Sequence, residues 1–200
     1  MSSKQQILNK VRQALSDKQN RAPYPVYDTA EYVAKPRVEG GSAEQVFRRN
    51  FAAVHGIVVG DFEELKAVLA KQPLKKGCCD PALTAKLQGL HIEWESEFNR
   101  NKFDEYDIGV TFASGAVAET GSLMLKDRAT ADRLSALAPW VHVAVLKRSE
   151  IYLTLPEALQ RLGDDPNVIL VTGPSKTADV EGILIEGVHG PGVQIAWLVD

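Results

Sequence analysis

Short apolar runs alternate with helix-forming segments through the first half of the chain, and this alternation most constrains the fold. A helical pattern over 43–54 leads into Ile57–Val59, a run typical of a buried strand. Asp61, with Glu64 three residues later, predicts the start of the next helix. Strands that alternate with helices favour a parallel sheet that is covered on both faces.

Further strands are predicted along the rest of the chain, at 92–94, 107–112, 122–125, 141–146, Val168–Val171 and Val193–Val199. A helix is predicted over 155–162. The strand-rich second half needs tight connections, which favour some antiparallel pairs. We therefore predict an α/β fold with a mixed open sheet. Ligands of such sheets usually bind beyond the carboxyl ends of the strands, so the loops after 112, 125, 146 and 171 are the first candidates for a site.

An amphipathic pattern over 3–18 predicts an N-terminal helical extension. The residues of its apolar side are Ile7, Leu8, Val11 and Leu15. Between 20 and 41 proline and glycine recur without periodicity, which is typical of an extended linker. We therefore divide the chain into an N-terminal helix with a linker (1–41) and one α/β domain (42–200).

The charges of the chain are dispersed. The formal net charge is -3, and lysines and arginines are scattered among acids instead of forming the basic stripes that favour nucleic-acid binding. No apolar run approaches the roughly 20 residues that span a bilayer, and the N-terminus lacks the apolar core of a signal peptide. We expect a cytoplasmic protein with no nucleic-acid partner and no membrane span.

The only cysteines are the adjacent residues Cys78 and Cys79. Adjacent thiols cannot by themselves supply the spaced ligands of a zinc or iron–sulfur site. We interpret them as reduced thiols near a strand end, with a strained vicinal disulfide or a redox role as the alternative.

The first candidate site is the loop 113–121, which is rich in small residues. Small side chains let a ligand approach the backbone N–H groups, which can form an anion-binding nest beside the hydroxyls of Thr120 and Ser122. Glu119 could act there as a general base or a covalent nucleophile. The alternative is a tight turn in which the glycines serve backbone geometry and Glu119 is solvated.

A second candidate site follows the predicted strand that ends at Val171. The chain there reads Thr172-Gly173-Pro174-Ser175-Lys176-Thr177-Ala178-Asp179-Val180-Glu181. An ammonium group flanked by hydroxyls at a strand end suits a phosphate or a carboxylate. The stretch lacks the earlier glycine of the P-loop pattern, which excludes that interpretation. The alternative is a polar turn in which Lys176 pairs with Asp179.

The third candidate is His189, which lies in a glycine-rich turn between Gly187 and Gly190. An imidazole on such a turn is sterically open and can act as an acid, a base or a hydrogen-bond donor near neutral pH. No second histidine or cysteine lies at ligand spacing, so we predict no metal there.

Together these segments, with Ala138-Pro139-Trp140-Val141-His142 and in this order, resemble the LUD-domain family, in particular its lactate-utilisation C branch. The resemblance implies a fold similar to that of the sugar-isomerase and coenzyme A-transferase (NagB/RpiA/CoA transferase-like) proteins. It marks as the candidate site Glu119, Thr120, Gly121, Ser122, Thr172, Gly173, Ser175, Lys176, Thr177, Asp179, Glu181, His189 and Gly190. Coenzyme A-transferases carry a nucleophilic glutamate in a comparable glycine-flanked loop, and with His189 as its partner Glu119 is the catalytic candidate.

The resemblance also implies a role in the oxidation of L-lactate to pyruvate beside two partner subunits that carry iron–sulfur clusters. This chain, with no cluster-binding cysteine set, would be a non-redox subunit that binds a small anionic ligand, a carboxylate or a phosphate. The alternative is a stand-alone enzyme acting on a small phosphorylated or acyl-coenzyme A substrate. A regulatory module that senses a carboxylate is a third hypothesis.

Overall fold

The chain divides into two units, Met1–Tyr32 and Val33–Asp200. The computed structural model describes residues 2–16, 35–127, 132–165, 167–178 and 182–200. In the first unit it contains helix α1 (Ser3–Ser16), which agrees with the predicted N-terminal helix.

The helices of the second unit are short, and α3, α4 and α6 begin at side-chain caps. They are α2 (Lys35–Val38), α3 (Ala43–Ala53), α4 (Phe62–Leu69), α5 (Leu134–Leu137) and α6 (Leu155–Leu159). Ser42 and Gln45 form a reciprocal capping box at the start of α3. The side chain of Asp61 accepts the backbone N–H of Glu64 at the start of α4, as the sequence predicts.

Six strands of the described chain form one parallel sheet in the order β1-β12-β7-β4-β2-β3. Their bounds are β1 (Ile57–Val59), β2 (Lys76–Cys79), β3 (Glu93–Glu95), β4 (Ile108–Phe112), β7 (Val141–Lys147) and β12 (Val193–Val199). Because all six strands run the same way, the sheet has one amino edge and one carboxyl edge.

The remaining strands form two smaller sheets. The order β8-β5-β6-β9 joins Ile151–Tyr152, Gly115–Val117, Ser122–Lys126 and Val168–Val171, with antiparallel pairs on both sides of β6. Strands β10 (Lys176–Ala178) and β11 (Leu184–Glu186) form an antiparallel pair. The predicted mixed α/β architecture is confirmed, and its antiparallel pairs lie outside the large sheet.

Both faces of the large sheet are covered. On one face Leu65 and Leu69 of α4 and Leu83 and Leu87 of a 3-10 helix (Pro81–Leu87) pack on the sheet. On the other face α3 contributes Val46, Phe47 and Phe51 to a core that it shares with the β5–β6 sheet. The Phe47 and Phe51 rings stack with their centroids 5.1 Å apart.

The structure differs from the sequence prediction mainly in very short elements. The sequence does not predict strands β2, β5, β8, β10 and β11, because they are only two to four residues long and β2, β5 and β10 also carry glycine, alanine or lysine. Helix α2 lies within the stretch interpreted as a linker, and its Arg37 carbonyl accepts hydrogen bonds from the side chains of Arg49 and Asn50 (both 2.8 Å). The helix predicted over 155–162 ends at Leu159.

A fully buried histidine joins three neighbouring strands of the large sheet. His142 Nδ1 lies 2.7 Å from Nε2 of the Gln194 side-chain amide, and His142 Nε2 lies 2.9 Å from Thr111 Oγ1. Burial lowers the pKa of His142 to about 4. The neutral ring is therefore a structural link between β7, β12 and β4.

His142 should make the folded state acid-sensitive. Its pKa rises from about 4 in the folded chain to about 6.5 in the unfolded chain. At pH values between these two pKa values, unfolding is therefore accompanied by uptake of a proton. Its contribution to stability is complete above pH 6.5 and is lost as the pH falls towards 4. We expect His142 to account for a loss of roughly 2 kcal/mol between pH 7 and pH 5 in urea unfolding.

The matched variant is His142→Gln, which keeps polar atoms in place and cannot titrate. Its unfolding free energy should change less than that of the wild type over the same pH interval. Equal pH dependence in both proteins would contradict this role of His142.

Candidate functional site

The first two predicted loops meet through their hydroxyl groups. Thr120 Oγ1 lies 2.7 Å from Ser122 Oγ, which lies 2.6 Å from Thr172 Oγ1. Ser122 is at the start of β6 and Thr172 follows β9, and these strands pair antiparallel. The structure thus brings together residues that are 50 positions apart in sequence.

The glycines of these loops pack closely against the last turns of α3. A Cβ on Gly121 (φ +63) would lie 2.6 Å from the backbone N of Phe51. A Cβ on Gly173 (φ +76) would lie 2.2 Å from the carbonyl oxygen of Val54. Both positions combine a left-handed backbone with a contact that excludes any side chain, so these glycines have a packing role.

Glu119 lies in the turn between β5 and β6 and is 9% exposed. Its Oε2 accepts the backbone N–H of Leu155 at the start of α6 (3.1 Å). Its own carbonyl accepts from Asn50 Nδ2 (3.2 Å), which also donates to the Ala118 carbonyl (2.8 Å). The carboxylate therefore fixes the start of α6, and its catalytic role stays a prediction.

Lys176 is held at the end of α3. Its ammonium donates to the Val54 carbonyl (3.0 Å) and lies 3.4 Å from Glu186 Oε1. His55 Nδ1 is 2.6 Å from the same carboxylate oxygen. The hydrogen bond from His55 and the nearby Lys176 lower the pKa of Glu186. The Lys176 ammonium thus already has an acceptor and an anionic partner.

The second and third predicted loops are joined by backbone hydrogen bonds. Ser175 N donates to the Pro191 carbonyl (2.9 Å), and Gly187 N donates to the Ser175 carbonyl (2.8 Å). A Cβ on Gly190 would lie 3.3 Å from the Cβ of Ser175. Thr177 is half-buried in β10, and the predicted residues Asp179 and Glu181 lie outside the described ranges.

His189 lines a separate cleft of about 510 Å³ at the amino edge of the large sheet. The cleft also contains Trp140, whose ring packs so closely on Gly187 and Gly192 that a Cβ on either would lie within 2.3 Å of it. Asp104 and Asp107 line the same cleft, so its charge does not favour an anion.

A basic cleft of about 630 Å³ lies at the opposite, carboxyl edge of the large sheet. It is bordered by the ends of three neighbouring strands, at Phe112 of β4, Lys147 of β7 and Val199 of β12. Its cationic residues are Lys86, Lys126, Lys147 and Arg161, and its acidic residues are Glu150 and Asp200. We call it the carboxyl-edge cleft. No sequence motif marks its lysines, although the strand order predicts a site in the loops that follow β4, β6 and β7.

The acids of the carboxyl-edge cleft already have partners. Glu150 accepts a hydrogen bond from the Tyr152 hydroxyl, and burial together with this bond raises the pKa of Tyr152 to about 12. Asp200 Oδ1 lies 3.2 Å from Arg148 Nε. Within the described ranges, Lys86 and Lys147 have no acidic partner. The cleft therefore keeps an excess of positive charge.

The two thiols are buried at the end of β2. Ser135 Oγ donates to Cys78 Sγ (3.4 Å), and Cys79 Sγ lies 3.7 Å from Thr84 Oγ1. Burial raises the pKa of both thiols.

The described residues hold no group of three or more His, Cys, Asp or Glu side chains placed for a metal ion. No helix in the described ranges combines the length and apolar character needed to cross a membrane.

The fold and the glycine-lined loops place the chain in a known family. The LUD domain family model matches residues 3–198, and the chain therefore belongs to this family. The solved structure of a DUF162 family protein from Deinococcus radiodurans is similar, with a TM-score of 0.60 at 19% identity over 80% of this chain and 100% of that one. That likeness supports the fold.

Curated relatives match about half of the chain. Lactate utilization protein C of Oceanobacillus iheyensis is 30% identical over 121 residues, which are 55% of this chain and 51% of that protein. Lactate utilization protein C of Bacillus licheniformis is 34% identical over 118 residues (54% and 49%). An uncharacterized protein of Neisseria meningitidis serogroup B is 36% identical over 103 residues (49% and 42%). The chain spans about half the length of the curated relatives it matches.

Gly173→Ala should destabilise the fold strongly. The new Cβ combines the cost of a left-handed alanine with a 2.2 Å contact to the Val54 carbonyl oxygen. We expect a loss of about 3 kcal/mol or more in urea unfolding. Gly163→Ala is the matched control, since Gly163 has φ +66 and nothing within 4 Å of its Cβ position, and it should cost only about 1 kcal/mol. Equal losses at both positions would contradict close packing at Gly173.

Glu119→Ala should destabilise the protein by about 1–3 kcal/mol, because the Leu155 N–H at the start of α6 loses its acceptor. Glu119→Gln keeps an acceptor oxygen and removes the charge, so it should cost less than about 1 kcal/mol. Thermal and urea unfolding of the two variants provide the measurement. If the Gln variant were as unstable as the Ala variant, the charge of Glu119, and not its acceptor oxygen, would be essential.

Proposed function

We propose that this protein takes part in lactate utilisation, as a cytoplasmic, non-redox subunit of a complex that oxidises L-lactate to pyruvate and as the subunit that binds a small organic anion. Membership of the LUD domain family and the names of the relatives support the lactate context. The observation that carries the binding role is the carboxyl-edge cleft with its excess of cations.

The cleft suits an anion for two physical reasons. Parallel α/β sheets bind their ligands beyond the carboxyl ends of the strands, and three strands end at this cleft. Lys86 and Lys147 also have no acidic partner among the described residues, so an anion gains two charge-assisted contacts without breaking an ion pair. We prefer this cleft to the loop around Lys176, because that ammonium already contacts Val54 and Glu186.

The buried thiols support a role without a redox centre in this chain. Their raised pKa values keep them protonated at neutral pH, whereas the thiolate is the form that binds metals and attacks disulfides. Electrons from lactate would then pass through iron–sulfur clusters of two partner subunits. This chain would contribute a bound anion and contacts within the complex.

The test uses a native host in which the gene is deleted and the full chain is restored with an affinity tag. We expect two partners with iron–sulfur absorbance to co-purify from cells grown on L-lactate. Lys86→Ser/Lys147→Ser should slow growth on lactate, while Lys71→Ser/Lys75→Ser, which removes the same charge from exposed positions outside the cleft, should not. Normal growth on lactate after deletion, with recovery of the chain alone, would contradict the proposal.

A further inference from the structure

We infer that the ligand of the carboxyl-edge cleft is an organic phosphate, a molecule with a phosphate group on an apolar or aromatic body, and not lactate itself. The inference rests on one part of the proposed function, namely that the carboxyl-edge cleft is the place where the ligand binds. Charge, size, lining and an unused hydrogen-bond donor of the cleft each support it.

The charge of the cleft matches an anion with more than one negative charge. Four cationic side chains line it against two carboxylates, which leaves a formal excess of two positive charges. Lys86 and Lys147 are among the cations that form no ion pair within the described ranges. A lactate ion carries a single negative charge and can balance only half of this excess, whereas a phosphate monoester carries nearly two negative charges at neutral pH.

The size of the cleft also favours a larger molecule. Its volume of about 630 Å³ lies within the range of about 300–1,000 Å³ that is typical of sites for cofactors and other small molecules of that size. A three-carbon acid would leave most of this space to water. An organic phosphate can reach the cations at one end and the apolar wall at the other.

The lining of the cleft combines an apolar wall with cations. Phe112, Val145 and Val199 supply the wall, together with the ring of Tyr152. The Arg161 guanidinium lies 5.9 Å from the centre of that ring, so cation and aromatic face adjoin. Aromatic faces bind apolar or planar groups, and guanidinium and ammonium groups bind phosphate oxygens.

Ser114 adds an unused donor beside the cleft. It lines the cleft between β4 and β5, and its Oγ is shielded from solvent with no hydrogen-bond partner in the described chain. A buried hydroxyl without a partner is unfavourable and calls for an explanation. A phosphate oxygen bound beside Ser114 would supply the acceptor that this hydroxyl lacks.

The experiment is calorimetric titration of the purified full chain at low salt with four probes: phenyl phosphate, benzoate, inorganic phosphate and L-lactate. Phenyl phosphate and benzoate share the ring and differ in the anionic group. We expect the Kd of phenyl phosphate to be at least about ten-fold lower than that of each other probe, since an added charge-assisted contact changes affinity by this factor or more.

Two sets of variants locate the binding. Lys86→Ser/Lys147→Ser should raise the Kd of phenyl phosphate about ten-fold or more, and Lys71→Ser/Lys75→Ser should leave it unchanged. Ser114→Ala should weaken binding while its unfolding midpoint stays equal to that of the wild type or rises, because no hydrogen bond within the described chain is lost. This variant keeps the test decisive if the lysine variant folds poorly.

Each contrary result has a defined meaning. If L-lactate or benzoate binds as tightly as phenyl phosphate, the ligand is a carboxylate, and the inference fails while the lactate role stands. Equal Kd values for inorganic phosphate and phenyl phosphate would contradict the inference that the ligand has an apolar or aromatic body. Binding that is insensitive to both the lysine and the Ser114 substitutions would contradict the assignment of the ligand to the carboxyl-edge cleft. Failure of the lactate role is observed separately, by growth on lactate and co-purification.

Discussion

The packing of α3 against two sheets is the constraint on which the rest of the structure depends. Phe47 and Phe51 enter one core with Leu146 and Leu198 of the large sheet and with Leu123 of the β5–β6 sheet. Loss of either ring would open a cavity shared by all three layers, at a cost of about 3–5 kcal/mol. The ends of both small-residue loops are then fixed by contact with the last turns of this helix.

The glycine-rich motifs are explained by this packing. Gly121 and Gly173 touch the backbone of α3 where no side chain fits, and Glu119 and Lys176 satisfy backbone groups at the ends of α6 and α3. Glu119 thus links its loop to α6, and Lys176 links its loop to the end of α3. A sequence motif that is typical of one family can therefore reflect close backbone packing as well as a catalytic or binding role.

The two edges of the large sheet differ in their chemistry. At the amino edge, backbone hydrogen bonds join the loops around Ser175 and Pro191, and the cleft at His189 carries two aspartates. At the carboxyl edge the strands end at an open cleft in which cations outnumber acids. An anion is thus attracted to the carboxyl edge, where a parallel sheet also leaves space between the ends of its strands.

The sequence by itself determined the α/β class, the N-terminal helix and strands such as β1, β9 and β12, because these depend on local apolar periodicity and caps. It also grouped Thr120, Ser122 and Thr172 through motifs typical of one family. Only the tertiary structure decided that Lys176 is already engaged and that Lys86 and Lys147 share a cleft. Those facts depend on which segments meet in space, and lysines 61 positions apart carry no local pattern that predicts their meeting.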